Sequence, residues 1–204
     1  HKPGQSRDLL SPPPPGRGLG PEWRRRRPTL RRCGSLGAAV DLLQAAHRKL
    51  PGVGLVIVGD GPKADYARAM TQAARPSAPV WFLGHRPHEE AVLVEQAADV
   101  CISARDGHVG MKGLEYAAVG RRQVAFDNEG IERLGALYPG HDAVFVVKER
   151  SAEALARALS AAFEAEATRG PLPLEAVERA RTEIGWDRTA FKIAALLSQV
   201  ARRG

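Results

Sequence analysis

The chain has 204 residues, enough for one large domain or one domain with appendages. Its formal net charge of +7 lies entirely within residues 1–36, which hold nine Lys/Arg against two Asp/Glu, while residues 37–204 hold 21 of each sign. That neutral remainder excludes a basic nucleic-acid-binding domain as the source of the charge, and two distant cysteines, Cys33 and Cys101, exclude a disulfide framework.

No apolar run reaches the roughly eighteen residues of a membrane span, and no signal peptide is visible. Cytoplasmic residence in a reducing compartment is therefore expected. Because the sequence starts at His1 rather than methionine, a fragment of a longer protein is also expected. Residues 1–36 carry a proline run, Pro12 to Pro15, and arginine clusters at Arg24 to Arg27 and Arg31-Arg32, with no hydrophobic period. Such text cannot bury enough apolar surface to offset chain entropy, so a disordered segment is expected. Two alternatives stand beside it. One is a basic arm making peripheral contact with acidic lipid at the inner membrane face, or with nucleic acid. The other is out-of-frame text that has displaced the first strand of the domain.

From Ala38 the pattern becomes regular. Val40, Leu43, Ala46 or His47, and Leu50 fall on one face of a helix that Pro51-Gly52 stops. Gly54 to Gly59 is a continuous apolar strand of the kind found in a parallel sheet covered on both faces. Asp60-Gly61-Pro62 turns the chain into a helix ending near Ala74. Val80 to Gly84 is the next strand, followed by His85-Arg86-Pro87-His88 and a helix from about Glu89 to Ala97. His85 and His88 have no third ligand at a recognisable spacing, and no metal site is expected.

A strand over 98–103, with a buried thiol at Cys101, runs into the loop 104–110, and a helix follows from about Met111 to Gly120. The next strand is Val124-Ala125-Phe126. Open α/β sheets bind ligands at the carboxyl ends of such strands, and a helix N-terminus presents N–H groups to an anion. Glu115, one turn in, can accept hydrogen bonds from vicinal hydroxyls. A phosphorylated, hydroxyl-rich ligand is expected here. A short helix over 131–137, a last strand over 143–147, a helix capped by Ser151 with Leu155, Leu159, Ala162 and Phe163 inward, a helix over 174–181, and a terminal helix capped by Asp187 complete the chain. The alternation predicts a doubly wound parallel sheet of about five strands flanked by helices over residues 37–204.

Lys112-Gly-Leu-Glu115-Tyr116-Ala-Ala-Val-Gly120 resembles the K-x-x-E-Y-x-A-x-G signature of family 4 glycosyltransferases, in the donor-binding, C-terminal half of the GT-B fold. Gly59-Asp60-Gly61-Pro62 is similar to the G-D-G-P turn of the same family. The resemblance implies that Glu115 holds the ribose of a nucleotide-sugar. It also implies that the loop from Asp106 through His108, Val109, Gly110 and Met111 to Lys112 cradles pyrophosphate and sugar, with Asp106 and His108 as catalytic candidates. Gly59, Asp60 and Gly61 shape the cleft, and Leu83, His85 and Arg86 lie beside the base.

Three departures from the family pattern are visible. Many members carry a second, sugar-contacting glutamate eight residues before the first, where this chain has Gly107. Arg122 and Gln123 replace a proline and an aliphatic residue. The arginine and lysine expected to reach the phosphates fall on about Cys33 and Ala38, which cannot neutralise a diphosphate, leaving Arg31, Arg32 and Lys112 as nearby substitutes. What the resemblance implies is half of a retaining glycosyltransferase, with a UDP- or GDP-sugar as substrate, no cofactor or metal, and a glycan or lipid acceptor. An N-terminal acceptor half would be missing, so this chain alone is expected to be inactive. Alternatives are a degenerate, non-catalytic nucleotide-binding remnant and a nucleotide-sugar epimerase of the same fold. A basic-arm RNA binder lacks an aromatic stacking platform beside its arginines.

Overall fold

A computed structural model describes residues 30–33, 45–46, 48–60, 68, 80–103 and 107–201. Six strands, β1 (Leu30–Cys33), β2 (Leu55–Val58), β3 (Val80–Phe82), β4 (Val100–Ser103), β5 (Arg122–Phe126) and β6 (Val144–Val147), form one sheet in the order β3-β2-β1-β4-β5-β6. Every pairing is parallel. The order reverses direction between β1 and β4, which makes that junction the switch point of a doubly wound sheet.

The described helices are α1 (His88–Gln96), α2 (Met111–Ala118), α3 (Ile131–Gly135), α4 (Ala152–Arg169), α5 (Leu174–Ile184) and α6 (Trp186–Ala201). Burial on both faces explains the continuous apolar strands. Leu55, Ile57, Val100, Ile102, Val124 and Phe126 point to one face and pack with Leu155, Ala156, Leu159 and Ala162 of α4. Their alternating neighbours turn the other way, as the two-residue period of a strand requires. Val56, Val58 and Cys101 meet Ala91 and Val94 of α1 and Tyr116 of α2, while Ala125 meets Ala117 of α2, Ile131 and Leu134 of α3, and Ala176 and Val177 of α5. Cys101 is a buried thiol outside any disulfide.

Two expectations are corrected. The sheet has six strands rather than about five. The additional one, β1, lies within the segment expected to be without structure and pairs with both β2 and β4. Leu-Arg-Arg-Cys carries no apolar run. A central strand takes its backbone hydrogen bonds from two neighbours, a contribution that side-chain composition does not display. β1 thus precedes the expected boundary at 36/37. At the other end, α6 begins at Trp186, so Asp187 lies in its first turn rather than preceding it as a cap. The expected helices over 39–50 and 62–74 fall largely outside the described residues.

Arg122 and Gln123 acquire structural partners. Arg122, 3% exposed, opens β5. Its Nε donates to the Asp142 carbonyl at 3.1 Å and its Nη1 to the Gly170 carbonyl at 2.6 Å, and the same Nη1 pairs with Glu166 near the end of α4. A buried guanidinium is tolerable only with partners of this kind. Gln123, also buried, donates from Nε2 to the Gly113 carbonyl of α2 at 3.1 Å. Among the described residues, no helix is long and apolar enough to cross a membrane.

Candidate functional site

Because the sheet is parallel, the segments following β2, β3 and β4 all leave from its carboxyl edge. These segments hold the candidate residues. After β2, the Gly59 N–H donates to the Gly84 carbonyl at 2.7 Å, and the Leu83 N–H, just past β3, donates to the Ile57 carbonyl at 2.9 Å. Asp60 completes the junction: its Oδ2 accepts the His85 N–H at 2.8 Å and its Oδ1 pairs with Arg68 at 3.3 Å. The guanidinium of Arg68 in turn stacks 5.6 Å from the Phe82 ring centroid. Arg86 folds back so that its Nε donates to the Leu83 carbonyl at 3.0 Å. Gly59 and Asp60 are thus joined to Leu83 and His85. Asp60 acts through its carboxylate on the loop after β3, a role that its place in a turn motif does not announce.

The loop after β4 is fixed by the end of β5. Val109 N–H donates to the Glu129 carbonyl at 3.1 Å, Glu129 N–H donates to the Gly107 carbonyl at 3.3 Å, and His108 forms an isolated parallel bridge with Glu129. Val109 is half-buried against the α3–α5 core, and its N–H is engaged by the Glu129 carbonyl. The His108 side chain is exposed. Gly107 has φ +83°, a left-handed conformation that a side-chain-bearing residue adopts at a cost. The absence of the family's second glutamate is therefore accompanied by a backbone that disfavours one. Asp106 and Gly61 lie outside the described residues.

α2 starts at Met111, which is 58% exposed, after an extended Gly110 that provides no side-chain cap. Its far end is held closely. The Tyr138 hydroxyl donates to the Ala117 carbonyl, and Arg181 Nε donates to the Ala118 carbonyl at 2.6 Å. Burial pushes the Tyr138 hydroxyl up to about 12, with the charge of Arg181 acting in the opposite direction.

Lys112 and Glu115 meet on one face of α2, and their side chains are 31% and 25% exposed. Lys112 Nζ also lies 3.1 Å from Oε1 of Glu95, whose side chain is 2% exposed on α1. The expected phosphate-neutralising substitute is therefore an ammonium already shared between two carboxylates. Glu95 is the residue that sequence reasoning missed. A signal was present: in α1 it falls on the same face as Ala91 and Val94, at i+4 and i+1, an acid on the buried stripe. Among the described residues, no group of three or more His, Cys, Asp or Glu is arranged to hold a metal ion.

A helix at the switch point, entered from β4 and carrying a half-exposed carboxylate, narrows the comparison with known proteins. A model of the family described as glycosyl transferases group 1 matches residues 36–182. The chain belongs to this family. Solved structures share the architecture of this glycosyltransferase domain, one half of a GT-B fold. Sucrose-phosphate synthase from Thermosynechococcus elongatus superposes with a TM-score of 0.72 at 22% identity, over 87% of this chain and 46% of that one. A glycosyltransferase from Rickettsia africae gives 0.73 at 16% identity over 87% and 48%. Anabaena HepE gives 0.68 at 19% identity over 84% and 48%. The chain thus spans about half the length of each of these three solved structures. No curated protein matches the sequence significantly.

Proposed function

We propose that this domain binds the nucleotide-sugar donor of a retaining, family 4-type glycosyltransferase, with Glu115 accepting the ribose hydroxyls and the N-terminus of α2 facing the diphosphate. One observation carries the assignment: a partly exposed carboxylate sits in the first turns of a helix that leaves the switch point of the sheet. Support comes from neighbours solved with nucleotides. HepE was crystallised with UDP and glucose, and the pneumococcal O-GlcNAc transferase GtfA, with a TM-score of 0.58, with UDP and GlcNAc. The uncapped start of α2 at Gly110 and the exposed Met111 suit a phosphate that approaches the backbone closely. Phosphate charge is assigned to backbone N–H groups and to cationic side chains, with no metal. The base lies near Leu83 to Arg86. In this scheme, transfer to a glycan or lipid needs an acceptor-holding surface outside the described residues, because the acceptor oxygen must be held about 3–3.5 Å from the reacting carbon.

Titration with UDP-, GDP- and ADP-sugars tests the proposal. One of them should bind, and Glu115→Gln should weaken it about tenfold while leaving thermal stability nearly unchanged, the loss expected for a charge-assisted hydrogen bond. Equal affinity in the variant, or no binding by the parent, refutes it. A second assignment, a non-catalytic nucleotide-binding remnant, is favoured by Gly107 and by the engagement of Lys112 with carboxylates. It requires UDP and UDP-sugar to bind equally, with no contribution from the sugar.

A further inference from the structure

Two choices in this sequence are unfavourable taken singly. Lys112 places a cation in the first turn of α2, against the helix dipole, and with its acid on the C-terminal side at i+3, the weaker orientation for a helical pair. Glu95 places a carboxylate on the buried stripe of α1, where ionisation costs several kcal/mol unless a partner is supplied. The 3.1 Å contact of Lys112 Nζ with Glu95 Oε1 sets the two against each other's cost. Violations of local rules that are compensated in this way mark positions where function has been built in.

We propose that Glu95 is a positioning residue of the nucleotide site, acting through Lys112 to hold the Glu115 carboxylate in place for the ribose hydroxyls. The inference rests on the role given to Glu115 above. Lys112 is shared between a fixed, buried carboxylate and a half-exposed one. While Glu95 is charged, the ammonium is drawn toward α1, and one Glu115 oxygen is steadied without being fully occupied. With Glu95 neutral, the ammonium shifts onto Glu115 and competes with the ribose hydroxyls for the same oxygens. The contact also ties α1, which follows the base-side loop at Leu83 to Arg86, to α2, so the two ends of a nucleoside would be registered against each other.

The experiment compares UDP with 2′,3′-dideoxy-UDP by calorimetry on the full chain, or the guanosine pair if GDP binds more tightly. The parent should prefer the hydroxylated nucleotide about tenfold, as expected for charge-assisted hydrogen bonds to Glu115. Glu95→Gln should reduce that preference about fivefold, and leave the affinity for the dideoxy form unchanged. Placed on top of Glu115→Gln, it should do nothing further to the preference. If Glu95→Gln does not fold, Glu95→Asp, which draws the carboxylate back from Lys112, should show the same selective loss in smaller measure. An unchanged preference in Glu95→Gln, with the preference abolished by Glu115→Gln, would overturn the inference and leave the function of Glu115 intact. A parent that binds neither nucleotide, or binds both equally, would remove the role of Glu115 and this inference with it.

Discussion

Gly120→Ala is the most direct test of how α2 is seated. Gly120 follows the helix with φ +71°, and a methyl group built on it would lie 2.6 Å from Val177 Cγ2 and 3.2 Å from Cγ1 on α5. Two costs act together. An L-residue in the left-handed region costs about 1–2 kcal/mol, and forcing a methyl into a packed contact costs about 1–3 kcal/mol. The lower entropy of the unfolded alanine chain returns about 0.4–1 kcal/mol. The net expectation is about 2–4 kcal/mol of destabilisation, measured by urea unfolding with the slope checked for constancy. Val177→Ala removes the colliding methyls but not the backbone strain. The double variant should therefore be less destabilised than the sum of the singles, by about 1–2 kcal/mol. Additivity to within about 0.5 kcal/mol, or a Gly120→Ala protein as stable as the parent, would refute the close packing of α2 on α5.

Arg122→Met should cost about 3 kcal/mol in urea unfolding, because it leaves Glu166 and the carbonyls of Asp142 and Gly170 without their shared donor. Adding Glu166→Leu should recover part of that loss. Tyrosine ordinarily ionises near pH 10, whereas burial holds Tyr138 up to about 12. Its contribution to stability is thus complete below about pH 10 and is lost as the pH rises through about 12, since the unfolded chain releases the proton first. Tyr138→Phe should flatten that part of the stability–pH profile, and an unaltered slope would contradict it. Ser151→Ala removes the hydroxyl that accepts the Ala154 N–H at 3.1 Å and should cost about 1 kcal/mol by thermal or urea unfolding, with nucleotide binding unaffected.

The regular elements were legible because burial leaves a period in the sequence. Leu155, Leu159 and Ala162 were expected inward from their helical spacing and are buried, with Phe163 half-buried against the same core. The continuous apolar runs became two-faced parallel strands whose ends shifted by a residue or two. β1 was illegible for the complementary reason: its position in the sheet is defined by backbone pairing, and Leu-Arg-Arg-Cys gives no side-chain pattern. At the site, Lys112 and Glu115 could be located from a motif and from helical spacing. Their partner Glu95 is 17 residues from Lys112 in sequence, and only the packing of α1 beside α2 brings it there. Asp60 shows the same limit. Its turn could be read, but its 25-residue reach to the His85 amide could not.

The placement of Arg122 has a consequence for how this domain tolerates change. It sits at the entry of β5 and gathers the far end of α4, while the candidate ligand residues follow the exits of β2, β3 and β4. Frame and chemistry thus occupy opposite rims of one sheet, separated by the length of its strands. A change of donor preference can be written into the exit loops without loosening the clamp around Arg122. Conversely, exchanging the Arg122–Glu166 pair for apolar residues of similar volume should raise or lower the melting temperature while leaving the nucleotide dissociation constant where it was. The two properties can be selected separately in a single library, with residues near 122, 142 and 166–170 varied for robustness and residues near 59–60, 83–86 and 107–115 varied for recognition.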